Sequence, residues 1–170
     1  LDGVTGVQTC ALPISLTLTA SDIIGKQIFC LHMMTEQQQY VDRLLDLREK
    51  MSVVVRHSLI QNFLCRPATE KQKVALVEAL GDKSSQIREC AAKILSDIAL
   101  TSDDFAIIEN LLQYKAGDLR KNCITLLLRQ EPASLLAAIG RLLESKNENK
   151  RLGAIEIVSA LRDSERFSGI

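Results

Sequence analysis

Apolar residues recur along this chain at helical spacing, in blocks that themselves repeat. Arg56, Arg88, Arg120 and Arg151 lie 32, 32 and 31 residues apart, and apolar side chains follow them at offsets −1, +3, +4 and +7. The sets are Val55, Leu59, Ile60 and Phe63; Ile87, Ala91, Ala92 and Leu95; Leu119, Cys123, Ile124 and Leu127; and Ala154, Ile155 and Val158, with Lys150 breaking the pattern at −1 of the last block. Those offsets share one face of a helix with 3.6 residues per turn. A further helix is predicted before each block. Its apolar sets are Val41, Leu44, Leu45 and Leu47; Val74, Leu76, Val77 and Leu80; Phe105, Ile107, Ile108, Leu111 and Leu112; and Leu135, Leu136, Ile139, Leu142 and Leu143. Leu80, Leu112 and Leu143 all fall at −8, whereas Leu47 falls at −9, so the first connection is one residue longer.

A fixed period of this length signals stacked copies of one small unit. Here the unit is helix–short turn–helix, too small to bury its own apolar face but able to do so in a stack. Boundary signals agree. Pro67 and Pro132 suit first turns, where a missing N–H costs nothing. Thr69 and Ser102 are predicted N-caps, and Asp103 and Asp104 favour the positive end of a helix dipole. Polar breaks at 81–84, 115–117 and 146–149 separate first helices from second. No stretch shows the period-2 alternation of a hairpin.

The second block, Ala75-Leu76-Val77-Glu78-Ala79-Leu80-Gly81-Asp82 followed by Gln86-Ile87-Arg88-Glu89-Cys90-Ala91-Ala92-Lys93-Ile94-Leu95, resembles a HEAT repeat. Asp82 and Arg88 match that family's turn aspartate and ladder arginine. The third block keeps Leu119-Arg120 but offers Asp118 rather than an aspartate at the Asp82 position, the fourth has Lys150-Arg151, and the first has Val55-Arg56 without a small residue at +3. The resemblance implies an all-α fold, a right-handed, armadillo-type α-solenoid of about four helix–turn–helix repeats. The expected organisation is a solenoid over 35–163, with units near 35–66, 67–100, 101–130 and 131–163. Residues 15–34, with Ile23, Ile24, Ile28 and Leu31 in register but Gly25 and no arginine, are an uncertain leading helix. Residues 164–170 are a C-terminal tail. Residues 4–14 resemble the translation of a sequencing adapter, so 1–14 are expected to be disordered and foreign to the fold, and the chain a fragment of a larger protein.

Charge and chemistry then narrow the function classes. Twenty-one basic and 21 acidic residues balance, which argues against a polyanion binder, and no run is long and apolar enough to span a bilayer. Cys30, Cys65, Cys90 and Cys123 are scattered without metal-ligand spacing; they read as reduced packing thiols and suggest a cytoplasmic setting. Cys10 falls in the adapter-like segment. His32 and His57 are isolated, and no nucleophile, phosphate-loop or metal motif is present. No catalytic residue, cofactor or metal is predicted, and the chain is expected not to be an enzyme.

The four arginines, with Asp82, are expected to bond turns or acidic side chains of neighbouring units and hold them in register. On the concave side of such a stack, second helices would present columns: His57, Glu89, Lys121 and Leu152; Gln61, Lys93, Thr125 and Glu156; Leu64, Ser96, Leu128 and Ser159. This mixed-charge surface with aliphatic residues suits a protein or peptide partner. A merely solvated face fits the same columns. Two further alternatives stay open: a HEAT-like lyase-type subunit, and a spacer array whose activity lies in a fused domain. A nucleic-acid excision enzyme would need a basic groove with aromatic side chains, and the columns have neither.

Overall fold

The computed structural model of the chain describes residues 38–163, with side chains from residue 41. The expectations for 1–14, 15–34 and 164–170 lie outside these residues. Among the described residues there is no strand, and eight α-helices follow one another: α1 Gln38–Leu45, α2 Val53–Phe63, α3 Glu70–Glu78, α4 Ser85–Ser96, α5 Ser102–Leu111, α6 Gly117–Leu127, α7 Pro132–Leu143 and α8 Glu148–Asp163. The fold class is all-α.

Local chemistry sets the helix starts. The Ser52 hydroxyl accepts from the Val55 N–H, and the Thr69 hydroxyl accepts from Gln72 N–H at 3.2 Å. Pro132 opens α7 at its first turn. The cap of α5 is Thr101 rather than Ser102: its hydroxyl takes the Asp104 N–H while the Asp104 carboxylate takes the Thr101 N–H at 2.7 Å, a reciprocal capping box. The same short side chain at either position could cap; Asp104 at the third helical position decides for Thr101. The longer first connection is taken up by a 3₁₀ turn, Arg48–Lys50, and a second such turn at Ala79–Gly81 ends α3.

The helices pack by rank. The first helices of successive units, α1, α3 and α5, contact in order, as do the second helices α2, α4, α6 and α8. Within units, α3 packs on α4, α5 on α6 and α7 on α8. Between the two rows runs one aliphatic core that includes Leu76, Leu80, Ile87, Leu95, Ile108, Leu112, Leu127 and Ile157, all fully buried. Each such side chain contributes roughly 1.5–3 kcal/mol of transfer free energy, which is how a chain with few aromatics fills its interior.

The predicted apolar register holds in α6, and holds in α4 and α2 except that Ala92 and Val55 are only half-buried. It fails in the last unit. Ile155 and Val158 are exposed, as are Leu136 and Leu143 of α7, while Gly153, Ala154, Ile157 and Leu161 form the buried face of α8. Offsets +4 and +7 face the next unit, and among the described residues nothing follows α8. Gly153 is needed for the close approach: a Cβ there would stand 3.1 Å from a methyl of Leu112.

Candidate functional site

Three of the four repeat arginines, Arg56, Arg88 and Arg120, reach forward by one unit to a carboxylate. Arg56 makes a fork to Asp82, Nε at 2.9 Å and an Nη at 3.0 Å. Arg88 reaches Asp118 at 2.8 Å, and Arg120 reaches Glu156 at 3.2 Å. The same guanidinium groups also tie down the turn ahead of their own helix: Arg56 donates to the Met51 carbonyl, Arg88 to those of Asp82 and Lys83, and Arg151 to that of Ser145. Asp82 in addition accepts the Ser84 N–H at 2.8 Å. Planar five-donor guanidinium suits this double duty in a way that lysine cannot. Asp118 sits at a different sequence position from Asp82 yet takes the same role. Burial alone would push its carboxyl up, but the hydrogen bond and charge of Arg88 outweigh this and hold it below the ordinary value.

A second set of ties links the first-helix row, and the sequence reading did not foresee it. Lys71 meets Asp46 at 2.7 Å, Lys73 meets Asp104 at 2.6 Å and Arg141 meets Glu109 at 2.8 Å. Arg129 caps the end of α4, donating to the carbonyls of Leu95 at 2.7 Å and Ile98 at 3.0 Å, where a cation also suits the negative end of the helix dipole. The signal for the Lys73–Asp104 pair is two opposite charges 31 residues apart, one repeat length, each followed by an apolar residue, Val74 or Phe105.

The predicted binding columns separate into three groups. His57, Gln61, Glu89 and Lys93 come together, lining a shallow groove of about 450 Å³ between α2 and α4 that Cys65 and Cys90 also border. Lys121 and Thr125 continue the row as exposed residues of α6, which packs on α4. Glu156 is half-buried and occupied by Arg120, so it belongs to the ladder rather than to a free surface. In the third column Leu64 is fully buried and Leu128 is half-buried against the core, while Ser96 and Ser159 are exposed; of the predicted aliphatic residues only Leu152, in the first column, presents an open side chain.

Glu89 and Lys93 are not consumed by the ladder, and among the described residues neither makes an ion pair. The thiol at Cys90 is raised by burial, opposed by the charge of Lys93, and burial pushes Cys123 up to about 12; both are neutral near pH 7 and act as small packing groups. A second cavity, about 370 Å³, lies between the first two units over Leu45, Leu59 and Leu64. Four of its polar lining residues are engaged in the Arg48–Glu78 and Arg56–Asp82 pairs. It arises where two units meet, so no single block of sequence signals it.

Among the described residues no group of three or more His, Cys, Asp or Glu is placed to hold a metal, and no helix is long and apolar enough to cross a membrane. No curated protein and no solved structure matches the chain. The model of a family of unknown function, DUF5724, matches residues 9–169, a span that begins inside the adapter-like segment, and the chain belongs to that family.

Proposed function

We propose that this chain is a HEAT-like α-solenoid segment, four helix–turn–helix units in a row, that binds a protein or peptide and carries out no chemistry of its own. In this reading it is a scaffold segment of a larger cytoplasmic protein. The separate rows of first and second helices and the forward-reaching arginines support the solenoid architecture. The three described cysteines are unpaired, which supports an intracellular setting.

One observation carries the binding reading. The α2–α4 groove gathers His57, Gln61, Glu89 and Lys93, and its charged groups are left over after the ladder has taken its own. Opposite charges, Glu89 and Lys93, beside half-buried Ile94 suit an extended or helical polypeptide with alternating polar and aliphatic side chains. The test is selection of peptides from a displayed library on the immobilised chain, followed by the double change Lys93→Glu and Lys121→Glu. Selected peptides should lose about tenfold in affinity, some 1.4 kcal/mol, while circular dichroism stays unchanged. Equal binding by parent and variant would remove the groove from the proposal.

A further inference from the structure

Three of the four units show what covers the forward face of a second helix. On α6, Arg120, Ile124 and Leu127 share one stripe at 0, +4 and +7; Ile124 is 8% and Leu127 0% exposed, and Arg120 is paired to a carboxylate of the following unit. The stripe Arg56-Ile60-Phe63 is covered in the same way, and in Arg88-Ala92-Leu95 the arginine is paired, Leu95 fully buried and Ala92 half-buried. On α8 the equivalent stripe is Arg151, Ile155 and Val158. Ile155 is 56% and Val158 49% exposed, and among the described residues Arg151 has no carboxylate partner, keeping only its bond to the Ser145 carbonyl. The preceding helix repeats the contrast: Leu112 is fully buried and its equivalent Leu143 is 47% exposed.

We propose that the face made by Leu143, Arg151, Ile155 and Val158 is a docking surface for one more helix–turn–helix unit of the same design, seated as the next member of the row. Its chemistry is fixed by the covered faces inside the molecule: aliphatic side chains against Ile155 and Val158, and an aspartate or glutamate opposite Arg151. The carboxylate need not occupy one set position. Asp82, Asp118 and Glu156 lie at −6, −2 and +5 from the arginine of their own unit and all serve. An exposed aliphatic cluster beside an unpaired arginine is costly for a surface that meets only water, and a partner of this kind would remove both features together. This rests on the solenoid stacking proposed above but not on the peptide-binding reading, since it concerns a different face.

The experiment extends the chain after Asp163 with a second copy of its own residues 131–163 and compares it with the 170-residue chain. The extended protein should melt in one cooperative transition, with Tm raised by about 5 °C or more, and amides of α8 should exchange at least about tenfold more slowly. Arg151→Ala should lower Tm in the extended protein and leave that of the 170-residue chain nearly unchanged. Two separate transitions, precipitation, or unchanged exchange in α8 would overturn the proposal. The 170-residue chain supplies an independent check through the double change Ile155→Glu and Val158→Glu. Unchanged helicity and Tm are expected; loss of helicity would mean that the face is already covered. A concentration-dependent dimer in sedimentation, abolished by the same double change, would assign the face to a second copy and also overturn it.

Discussion

Helices α6 and α8 carry nearly the same pattern, an arginine followed by isoleucine at +4 and an aliphatic residue at +7, and bury it to opposite extents. At these three offsets nothing in either stretch alone distinguishes them. Helical periodicity reports which side chains share a face; burial is conferred by whatever stands opposite. In α6 that is α8, which brings Glu156 to Arg120. In α8 only the face made by Gly153, Ala154, Ile157 and Leu161 is buried, and the helix packs against α6 and α7. The contrast turns one repeat into a control for the next.

The sharpest way to break the comparison is to place a charge at the same offset in both helices. Ile124→Asp puts an unpaired carboxylate into the core and should cost about 4 kcal/mol or more, enough to unfold a marginal domain. Ile155→Asp should change stability by no more than about 0.5 kcal/mol, as for other surface substitutions. Thermal melts followed by circular dichroism check both. Equal losses would mean that the two stripes have the same surroundings, and the difference in exposure between α6 and α8 would have no energetic content.

That pair also marks how far the sequence could be read. Helix positions, the two-helix unit and the role of the arginines followed from spacing, because periodicity and donor chemistry are local properties. The fate of Ile155, Val158, Leu136 and Leu143 did not, since it depends on a neighbour rather than on their own block. The same limit explains the candidate site. His57, Gln61, Glu89 and Lys93 were placed on one face by offset alone, and α2 and α4 do bring them together. Glu156 and Leu128 were placed there by the same rule, yet one is held by Arg120 and the other folds against the core. Offsets give direction around a helix; they do not say which residues the adjacent helix has already engaged. The Lys73–Asp104 pair and the Arg129 cap escaped notice for the same reason, being contacts between elements.

The ladder allows a finer comparison, between two arginine–carboxylate pairs of different exposure. Asp82 is only 15% exposed, accepts a two-pronged guanidinium and also holds the Ser84 N–H. Asp118 is 45% exposed. Asp82→Ala should therefore cost about 2 kcal/mol, since it strands Arg56 and a backbone donor in partly buried positions. Asp118→Ala should cost less than about 1 kcal/mol, with the solvated pair screened, and 1 M salt should shrink that loss further. Urea denaturation of the two variants tests the ranking. A larger loss at Asp118 would mean that the order of exposure does not set the order of energies in this ladder.

The gentlest perturbation is acid, and it separates the first-helix ties from the second-helix ladder. Burial would raise the Asp104 carboxyl, but hydrogen bonds from Lys73 and from the N–H and hydroxyl of Thr101, with the charge of Lys73, more than offset it and leave the group below the ordinary aspartate value of 3.8. A carboxyl depressed in the folded state stabilises the fold at pH above its unfolded value, and that contribution disappears as pH falls through the folded one. Stability should thus be level near neutrality and decline below about pH 4, as this carboxyl takes up its proton. Asp104→Asn keeps an acceptor for the Thr101 cap but discards the charge that Lys73 answers. The variant should start lower at pH 7 and show a shallower decline in acid. Asp118→Asn should flatten the acid limb less, because water already solvates much of that carboxylate. Should the Asp118 change flatten it more, the acid sensitivity would belong to the arginine ladder, and the tie between α3 and α5 would be a packing contact whose charge contributes little.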